Sequence, residues 1–293
     1  EINIGDWSSD VCSSDLLNNE HWGEQAAFTP KNTINIFMIY QGSNQAEMEK
    51  VWLPMKKWVS QHPDLYTMTF SIFSVPPRKF WDEAFWQKAN PAFITKNTQN
   101  DTSNDQYWWT PNTNEIYNYW YTYQSWWLPI SLFEDSNIKH LAEIFFKASR
   151  FDSVAMHINK GLSGASTLAV KTSQETAVNP VVTDTAALVI MAAGSNKIFP
   201  GVAGYEPNID KIQSIIKKTY AAMKLFVDAA PNSGTYVNEA DYFQKNWQNV
   251  FWGKNYARLL KIKNKYDPKG LFYCHHCVGS ERWTADGMCL KKD

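Results

Sequence analysis

The chain has 293 residues, with 28 lysines and arginines against 29 aspartates and glutamates, and 44% of its residues are hydrophobic. This composition excludes a wholly disordered chain and supplies enough apolar side chains for one large core or two small ones. The most continuous apolar run, residues 186–193, is far shorter than the roughly 20 residues that a membrane-spanning helix needs. Because the net charge is −1 and no basic block occurs, we expect neither nucleic acid nor a membrane as a partner.

The first residues of the chain stand apart from the rest. Residues 6–16 (DWSSDVCSSDL) show neither apolar periodicity nor turn residues, and they resemble one translated reading frame of a common sequencing adapter. We therefore expect residues 1–16 to be a disordered artefact, and we exclude them from the fold. The natural chain is then expected to continue upstream, and its compartment, secreted or cytoplasmic, stays open.

The first predicted elements are a strand, a helix and a second strand. Ile34–Tyr40 is a β-branched and aromatic run that is typical of a buried strand. Apolar residues then follow at helical spacing over residues 44–59, where Pro54 marks a kink or a boundary. Over residues 66–72 apolar and polar residues alternate, which predicts a half-buried strand. Together these elements predict one split βαβ unit.

Further along, residues 97–118 are rich in Asn, Thr and Asp and predict a long loop, which also contains a sequon at Asn100. The later elements are predicted as a helix at 136–150, strands at 154–158 and 185–193, a helix at 207–227 and a short strand at 235–241. The order of all these elements predicts an α+β fold, in which an antiparallel sheet carries its helices on one face.

A series of spaced motifs lies in the last 63 residues, from position 231 onward. Its members, in chain order, are Tyr236, Asn238, Glu239, Asp241, Trp247, Trp252, Gly253, Asn255, Tyr256, Arg258, Leu259, Lys263, Lys265, Tyr266, Asp267, Pro268 and Phe272. This ordered series resembles the C-terminal segment of the berberine-bridge-enzyme-like FAD-linked oxidases, which belong to the vanillyl-alcohol-oxidase-type flavoproteins.

Weaker resemblance to the same family extends upstream. It rests on residues 21–25, 80–82, 123–129, 157–165 and 179–184, so that it covers nearly all of the chain after residue 16. It implies a substrate-binding cap domain at 17–230 and a closing C-terminal segment at 231–293, which belongs with a flavin-binding domain that this sequence lacks. The resemblance further implies that an intact parent binds FAD, transfers a hydride from a small organic or sugar-like substrate to the flavin, and passes the electrons to oxygen or another acceptor. The fragment alone is expected to be inactive.

The resemblance also points to candidate catalytic and cofactor-binding residues. In plant relatives a tyrosine just after the motif's asparagine is the usual candidate base, and here that position holds Glu239. A carboxylate against an apolar surface can have its pKa raised towards neutrality, which suits a base, and Tyr236 is the alternate base. Strand alternation predicts Tyr236 and Asn238 on one face and Glu239 on the other. Asn238, Asn255 and Tyr256 are candidates for contacts with the flavin. The competing reading makes these residues helix caps, turn residues or ion-pair partners.

Candidate substrate-pocket residues lie in two other places. His157 and Lys160 lie at the end of a predicted strand that is expected to face the substrate; the alternative is a hydrogen-bonded strand histidine and a solvated lysine. Trp108 and Trp109 could stack on ring-bearing substrates, or they could simply pack in a core.

The tail contains the sequence Cys274-His275-His276-Cys277, with Cys289 further on. A CxxC motif can serve zinc binding or redox chemistry. Since no second ligand pair follows, we expect no metal site; a disulfide between Cys277 and Cys289 stays open.

Three hypotheses for function follow from these patterns. The leading one is a fragment of an FAD-dependent oxidoreductase. The alternative is a non-catalytic carbohydrate-binding module, which the 14 Trp and 14 Tyr residues would serve, and a zinc-stabilised module is the third. The leading hypothesis predicts an apolar exposed surface within residues 236–252, where the flavin domain would sit.

Overall fold

A five-stranded antiparallel sheet is the centre of the structure, which is a computed structural model. The structure describes residues 22–40, 45–72, 74–97, 106–110, 120–158, 162, 165–194 and 198–291. Residues 1–16, the sequon at Asn100 and Lys160 therefore lie outside the described residues.

The described chain contains seven strands and seven α-helices. The strands are β1 (Trp22–Phe28), β2 (Ile34–Tyr40), β3 (Ile94–Lys96), β4 (Tyr107–Trp109), β5 (Tyr121–Pro129), β6 (Val154–Ile158) and β7 (Thr185–Gly194). The helices are α1 (Gln45–Ser60), α2 (Glu83–Ala89), α3 (Asp135–Ser149), α4 (Thr167–Gln174), α5 (Ile209–Ala229), α6 (Trp247–Trp252) and α7 (Tyr256–Tyr266).

The main sheet has the strand order β2-β1-β6-β7-β5, and every neighbouring pair is antiparallel. A second, two-stranded sheet pairs β3 with β4. The register of the main sheet places one row of residues directly across it, and because paired residues share a face, these five side chains lie on the same side. The row is Phe37, Gln25, His157, Leu188 and Trp127.

Helices α3 and α5 pack on the opposite face of the sheet and form the main core with it. The Phe145 ring of α3 lies 4.6 Å from the Phe28 ring and 4.9 Å from the fully buried Phe226 ring of α5. Trp126 of β5 points to this face, and its indole Nε1 donates to the carbonyl of Ala230 at 3.0 Å. The expected α+β fold, with an antiparallel sheet and helices on one face, is confirmed.

The C-terminal segment runs beside the edge strand β5. The backbone N–H of Trp127 donates to Gly234 O at 2.8 Å, and the Ser233 hydroxyl donates to Trp127 O at 2.6 Å. A Cβ at position 234 would lie 2.4 Å from Val250 O, so only glycine fits this close approach between segments. The buried Asn179 amide donates to the same Val250 carbonyl at 2.9 Å, which ties the end of α6 to the loop before β7.

We predict that Asn179→Ala destabilises the protein by about 1–3 kcal/mol, because it leaves a buried carbonyl without one of its donors and removes the acceptor of the Val181 N–H. The matched control is Asn249→Ala, which replaces an exposed asparagine on α6 and is expected to change stability by less than about 0.5 kcal/mol. Denaturant unfolding of the two variants measures this difference. Equal effects would contradict the structural role of Asn179.

Most of the predicted elements occur close to their expected positions. The strand at Ile34–Tyr40 occurs where it was expected, but its expected burial is wrong: β2 is an edge strand and none of its seven residues is buried. The strands at 154–158 and 185–193 are confirmed. The predicted helices correspond to α1, α3 and α5; α1 continues through Pro54, and α5 begins after an Asn208 cap.

Three predictions of secondary structure were wrong. Residues 66–72 alternate in burial but belong to no described sheet. The Phe70 ring lies 6.2 Å from the Trp52 ring of α1, so this side of the segment packs on a helix. The predicted loop at 97–118 contains the strand Tyr107–Trp109. Residues 236–239 form a turn instead of a strand, closed by a bond from Glu239 N to Tyr236 O at 2.9 Å.

Candidate functional site

The sheet face opposite helices α3 and α5 carries aromatic and polar side chains and is open only towards its ends. On strands β5 and β7 its residues Trp127, Leu188 and Ile190 are buried in a second core. At its β2 end Phe37 is 52% exposed, and at the β5 end Tyr121 is 49% exposed. The Tyr121 ring stacks on the Tyr123 ring, with 5.6 Å between the ring centroids. Gln25 and His157 are half-buried between these ends. The face therefore presents flat apolar rings together with a few polar groups, as ligand surfaces in proteins commonly do.

The turn at residues 236–239 lies at the β5 edge of this open face. The Tyr236 ring packs 5.9 Å from the Trp127 ring, and the Tyr236 N–H donates to the Ser125 hydroxyl at 3.1 Å. The Asn238 side-chain amide donates to the Tyr236 hydroxyl oxygen at 2.8 Å. Tyr236 and Asn238 thus lie together, but they do so in a turn, where strand alternation does not apply. Glu239 is half-buried and follows directly in this turn.

His157 belongs to the same face as Tyr236. It pairs with Leu188 in the sheet register, and Leu188 pairs with Trp127, on which Tyr236 packs. The structure therefore brings the candidate base Tyr236 and the candidate pocket residue His157 to one face of one sheet.

Trp108 and Trp109 lie in the separate β3–β4 sheet. The Trp109 ring has Phe80, Trp81 and Trp86 within 5.4–5.9 Å, so it belongs to an aromatic cluster with helix α2. Trp108 is half-buried on the strand beside it. No described contact links this pair to the open sheet face, and their role in a substrate pocket stays a prediction.

Asn255 and Tyr256 make hydrogen bonds within the chain. The Asn255 amide donates to Val178 O at 2.8 Å. The Tyr256 hydroxyl donates to Glu281 Oε2 at 2.6 Å and accepts from Gly279 N at 3.2 Å. Burial raises the pKa of Tyr256, and the Glu281 carboxylate adds to the shift by holding the phenol proton. These bonds show how both residues hold the C-terminal segment, while their contact with a flavin stays a prediction.

Asp241 anchors the residues that follow the 236–239 turn. Its carboxylate accepts a hydrogen bond from the Tyr220 hydroxyl of α5 and another from Phe243 N at 3.1 Å. Burial raises the pKa of Tyr220, and Asp241 raises it further through the hydrogen bond and its charge. Tyr220 therefore stays a neutral donor, which attaches this segment to α5.

Asp267 organises the start of the tail after α7. Its carboxylate accepts hydrogen bonds from Lys263 Nζ at 2.5 Å, Leu271 N at 2.7 Å and Phe272 N at 3.0 Å. The bond from Lys263 is the main reason that the pKa of Asp267 lies below its usual value, and the two backbone donors act in the same direction.

We predict that the stabilising effect of Asp267 depends on pH. Because its pKa is lower in the folded state than in the unfolded chain, its contribution is complete above the unfolded value of about 3.9 and disappears as the pH falls through the folded value. Asp267→Asn should therefore lower Tm at pH 7, and the difference from wild type should shrink below about pH 4. Thermal unfolding across this range measures the effect.

The control for this prediction is Asp228→Asn, which breaks an exposed Lys224–Asp228 pair of the same i,i+4 spacing. Its effect at pH 7 is expected to be close to zero, because exposed ion pairs contribute little. If both variants lower Tm equally at every pH, the role assigned to Asp267 is wrong.

The CxxC motif forms a disulfide between Cys274 and Cys277, and Cys289 is exposed and free. The alternative pairing of Cys277 with Cys289 is therefore not what the structure contains. Within the described ranges, no group of three or more His, Cys, Asp or Glu side chains is arranged to hold a metal ion. None of the helices among the described residues combines the length and apolarity needed to cross a membrane.

The C-terminal segment exposes several large apolar side chains. Phe243 is 72% exposed and Leu271 is 81% exposed, and Tyr242, Phe272 and Met288 are also exposed. Exposed apolar residues in such numbers are typical of surfaces that another protein segment covers. Tyr242 and Phe243 fall in the range 236–252, where an apolar surface was expected.

The antiparallel sheet with helices on one face and a C-terminal segment along its edge is the fold of vanillyl-alcohol-oxidase (VAO) type flavoproteins, to whose structures this chain is similar. Residues 235–279 match the family model described as "Berberine and berberine like". The chain thus combines a berberine-like C-terminal segment with a fold similar to that of VAO-type flavoproteins.

Parts of known proteins resemble this chain in sequence or in fold. FAD-linked oxidoreductase apf9 of Gibberella fujikuroi is 51% identical over 60 residues, which are 20% of this chain and 10% of that protein. The crystal structure of VAO-type flavoprotein MtVAO615 from Myceliophthora thermophila C1 matches 96% of this chain with a TM-score of 0.63 and 18% identity. A xylooligosaccharide oxidase from the same organism, in complex with xylobiose, matches 92% with a TM-score of 0.53 and 18% identity. The chain spans 45% and 52% of these two structures.

Sequence reasoning missed strand β5 and with it the exposed position of Tyr121. Tyr121, Tyr123, Ser125 and Trp127 alternate along β5, and this period of two is visible in the sequence YTYQSWWLP. The intervening residues include Trp126, so both faces of β5 carry aromatic side chains and the alternation has little contrast. Phe37 belongs to a run that is apolar on both faces, and its exposure could be found only from the structure.

Proposed function

We propose that the full-length protein is an FAD-dependent oxidoreductase and that this chain supplies its substrate-binding cap at residues 17–230 and its closing segment at residues 231–293. One observation carries this proposal: the berberine-like segment lies along the edge of a sheet whose helices cover one face and whose other face exposes aromatic residues at its ends. The flavin-binding residues are proposed to precede this chain, since it spans about half the length of the structures that it matches.

The residues on the open face fit one wall of a flavin site. An isoalloxazine is a flat ring system with polar edges, and the β2 end of the face offers the exposed ring of Phe37 in one row with the half-buried side chains of Gln25 and His157. Asn238 lies at the edge of the same face, where its exposed amide is available to a polar group of the cofactor. When bound, FAD supplies the acceptor for a hydride from the substrate.

The substrate is proposed to be a small organic or sugar-like molecule bound over this face. Tyr121, which is 49% exposed, and Tyr123, on which it stacks, provide a flat surface for a sugar ring. The neighbour that was solved with xylobiose has the same fold, which supports this class of substrate.

Glu239 and Tyr236 are proposed to take the substrate proton. They occupy one turn, and the Tyr236 ring is held on Trp127 while its hydroxyl accepts from Asn238. A base in this turn would lie at the border between the open face and the solvent-exposed segment at 237–243. Oxygen or another acceptor is proposed to remove the electrons at the end of the cycle.

The test is to express the complete coding region, including the sequence upstream of residue 17, and to record the visible absorbance of the purified protein. A bound flavin that small alcohols or oligosaccharides bleach under anaerobic conditions is the expected result. The control is the chain from residue 17 to residue 293, which should purify without flavin and without activity. A complete protein that neither purifies with flavin nor binds added FAD would overturn the proposal.

A second candidate function is a carbohydrate-binding module without catalysis. The observation that favours it is Trp81, which is 70% exposed and lies beside Trp109 at the β3–β4 sheet. This candidate predicts that the chain without flavin changes its Trp fluorescence on binding oligosaccharides and that Trp81→Ala abolishes this change. Absence of binding across a panel of glycans would eliminate it.

A further inference from the structure

The tail contains a small covalent ring whose backbone is held in an unusual conformation. The turn at residues 274–277 closes with a bond from Cys277 N to Cys274 O at 3.2 Å and with the disulfide between the same residues, whose Cα atoms are 5.3 Å apart. Inside this ring His276 has a φ of 56°, which lies in the left-handed region that residues other than glycine rarely adopt. Such a conformation persists only where surrounding bonds and contacts hold it.

The two histidines of this ring belong to a continuous stack of four aromatic rings. His275 stacks on Tyr242 with 4.0 Å between the ring centroids and on His276 with 3.8 Å. The His276 ring in turn lies 5.3 Å from the buried Trp247 ring of α6. Burial lowers the pKa of His276, and the neighbouring His275 contributes in the same direction. Neutral rings favour such a stack, because two charged imidazoles in contact would repel each other.

A hydrogen bond also joins the His275 imidazole to the backbone of Tyr242. His275 Nε2 lies 2.7 Å from Tyr242 O, and since a carbonyl only accepts, the imidazole must carry its proton on Nε2 and donate it. The tail therefore holds both the ring and the backbone carbonyl of Tyr242. No secondary-structure element contributes this contact; it depends on the conformation of the 274–277 turn.

Tyr242 lies three residues after Glu239, the proposed base. The segment at 236–242 is attached to the sheet through Tyr236 and to α5 through Asp241. His275 supplies the third attachment, and it comes from the tail. Between the first and last of these attachments the segment contains Asn238 and Glu239, so the tail contributes, together with Tyr236 and Asp241, to how firmly their turn is held.

We propose that the disulfide-closed turn at 274–277 is a redox-sensitive clamp that positions the 236–239 turn through His275. The proposal rests on the proposed function, because it assigns His275 as a positioning residue for the base in that turn. With the disulfide intact, the ring holds His276 in its left-handed conformation and His275 on Tyr242. With the disulfide opened, the turn loses its covalent closure and the attachment of Tyr242 weakens.

The opening reaction is thiol–disulfide exchange with a dithiol. A thiolate of the dithiol attacks one sulfur of the Cys274–Cys277 bond and forms a mixed disulfide, and the second thiol of the reagent then displaces the protein thiol. Two electrons pass to the protein, which gains two thiols, while the reagent becomes a cyclic disulfide. Cys274 is exposed to solvent, which gives the reagent access.

The experiment is hydrogen exchange on the full-length protein, before and after treatment with dithiothreitol. We expect exchange of the amides at 237–243 to accelerate about five-fold on reduction, as the loss of roughly one hydrogen bond implies. The double variant Cys274→Ser and Cys277→Ser should show the faster rate without reductant and no response to it. Cys289→Ser is the matched control and should behave as wild type, since Cys289 is exposed and outside the disulfide. Unchanged exchange on reduction would overturn the clamp.

Two substitutions at His275 separate positioning from simple folding. His275→Gln keeps a side-chain N–H for Tyr242 O and should retain most of the slow exchange, whereas His275→Phe keeps the stacked ring but loses the donor and should exchange about five-fold faster. In turnover, His275→Phe should lower kcat roughly ten- to a hundred-fold with little change in KM, whereas His275→Gln should retain most of the wild-type kcat. Equal behaviour of the two variants in exchange would contradict the role of the donor.

The flavin absorbance of the same samples distinguishes the two proposals. If flavin is absent but exchange at 237–243 responds to reduction, the clamp stands and the proposed oxidase function fails. If flavin is bound and substrate bleaches it but reduction of the disulfide leaves exchange and kcat unchanged, the oxidase function stands and the clamp fails.

Discussion

Replacing Glu239 with glutamine is expected to lower the rate of substrate oxidation by the flavin-loaded full-length protein roughly 10²- to 10⁴-fold, the range that general acid–base groups contribute. The amide keeps the size of the side chain but cannot accept the substrate proton. Because Glu239 is half-buried and its turn is closed by backbone bonds, the fold should tolerate this change. Anaerobic mixing with substrate, followed through the flavin absorbance, measures the rate.

Tyr236→Phe provides the comparison, since it removes the hydroxyl but keeps the ring on Trp127. If Tyr236→Phe lowers the rate of substrate oxidation more than Glu239→Gln does, Tyr236 is the base and Glu239 is its neighbour. The control is Glu175→Gln, an exposed glutamate after α4, which should leave the rate unchanged. Rates within three-fold of wild type for both turn variants would contradict the assignment of the base to this turn.

Replacing Phe145 with alanine is expected to destabilise the full-length protein by about 3–5 kcal/mol. Phe145 is 3% exposed and joins β1 to α5 through its ring contacts with Phe28 and Phe226. Truncation therefore leaves a cavity at the junction of the sheet and both helices. Denaturant unfolding gives the change in the free energy of unfolding.

The neighbouring residue is a matched control for this prediction. Phe146 on the same helix is 41% exposed, and its ring lies under the Arg150 guanidinium at 4.7 Å. Phe146→Ala should cost no more than about 1 kcal/mol, the usual contribution of an exposed cation–π contact. Comparable losses for the two variants would show that the core is not where the structure places it.

Local sequence patterns predicted those elements in which one side is apolar and the other side is polar. Helix α5 combines an apolar stripe with an Asn208 cap, and its position follows from spacing and capping alone. Strand β5 was missed because Trp126 and Trp127 face opposite sides, and both sides of the strand are aromatic. The residues 66–72 alternate as a strand would, yet the helix α1 receives Phe70. Periodicity reports which side of a segment is buried, but it does not identify the element that buries it.

The sequence proposes the residues of the candidate site but does not give their geometry. The motif residues Tyr236, Asn238 and Glu239 stand out in sequence, and the structure places their turn at the open face of the sheet. Tyr242 and His275 are 33 residues apart, and nothing in the local sequence indicates their contact. Side-chain contacts of this kind depend on how the tail returns to α6, which is a property of tertiary packing.

The central claim is that the open sheet face and the 236–239 turn face the flavin of the complete protein. A crystal structure of the full-length protein with its flavin tests this most directly. The account predicts that the isoalloxazine lies against the face that carries Phe37, His157 and Tyr121, with Glu239 and Tyr236 at the substrate space. A flavin bound elsewhere, with that face covered by protein, would contradict it.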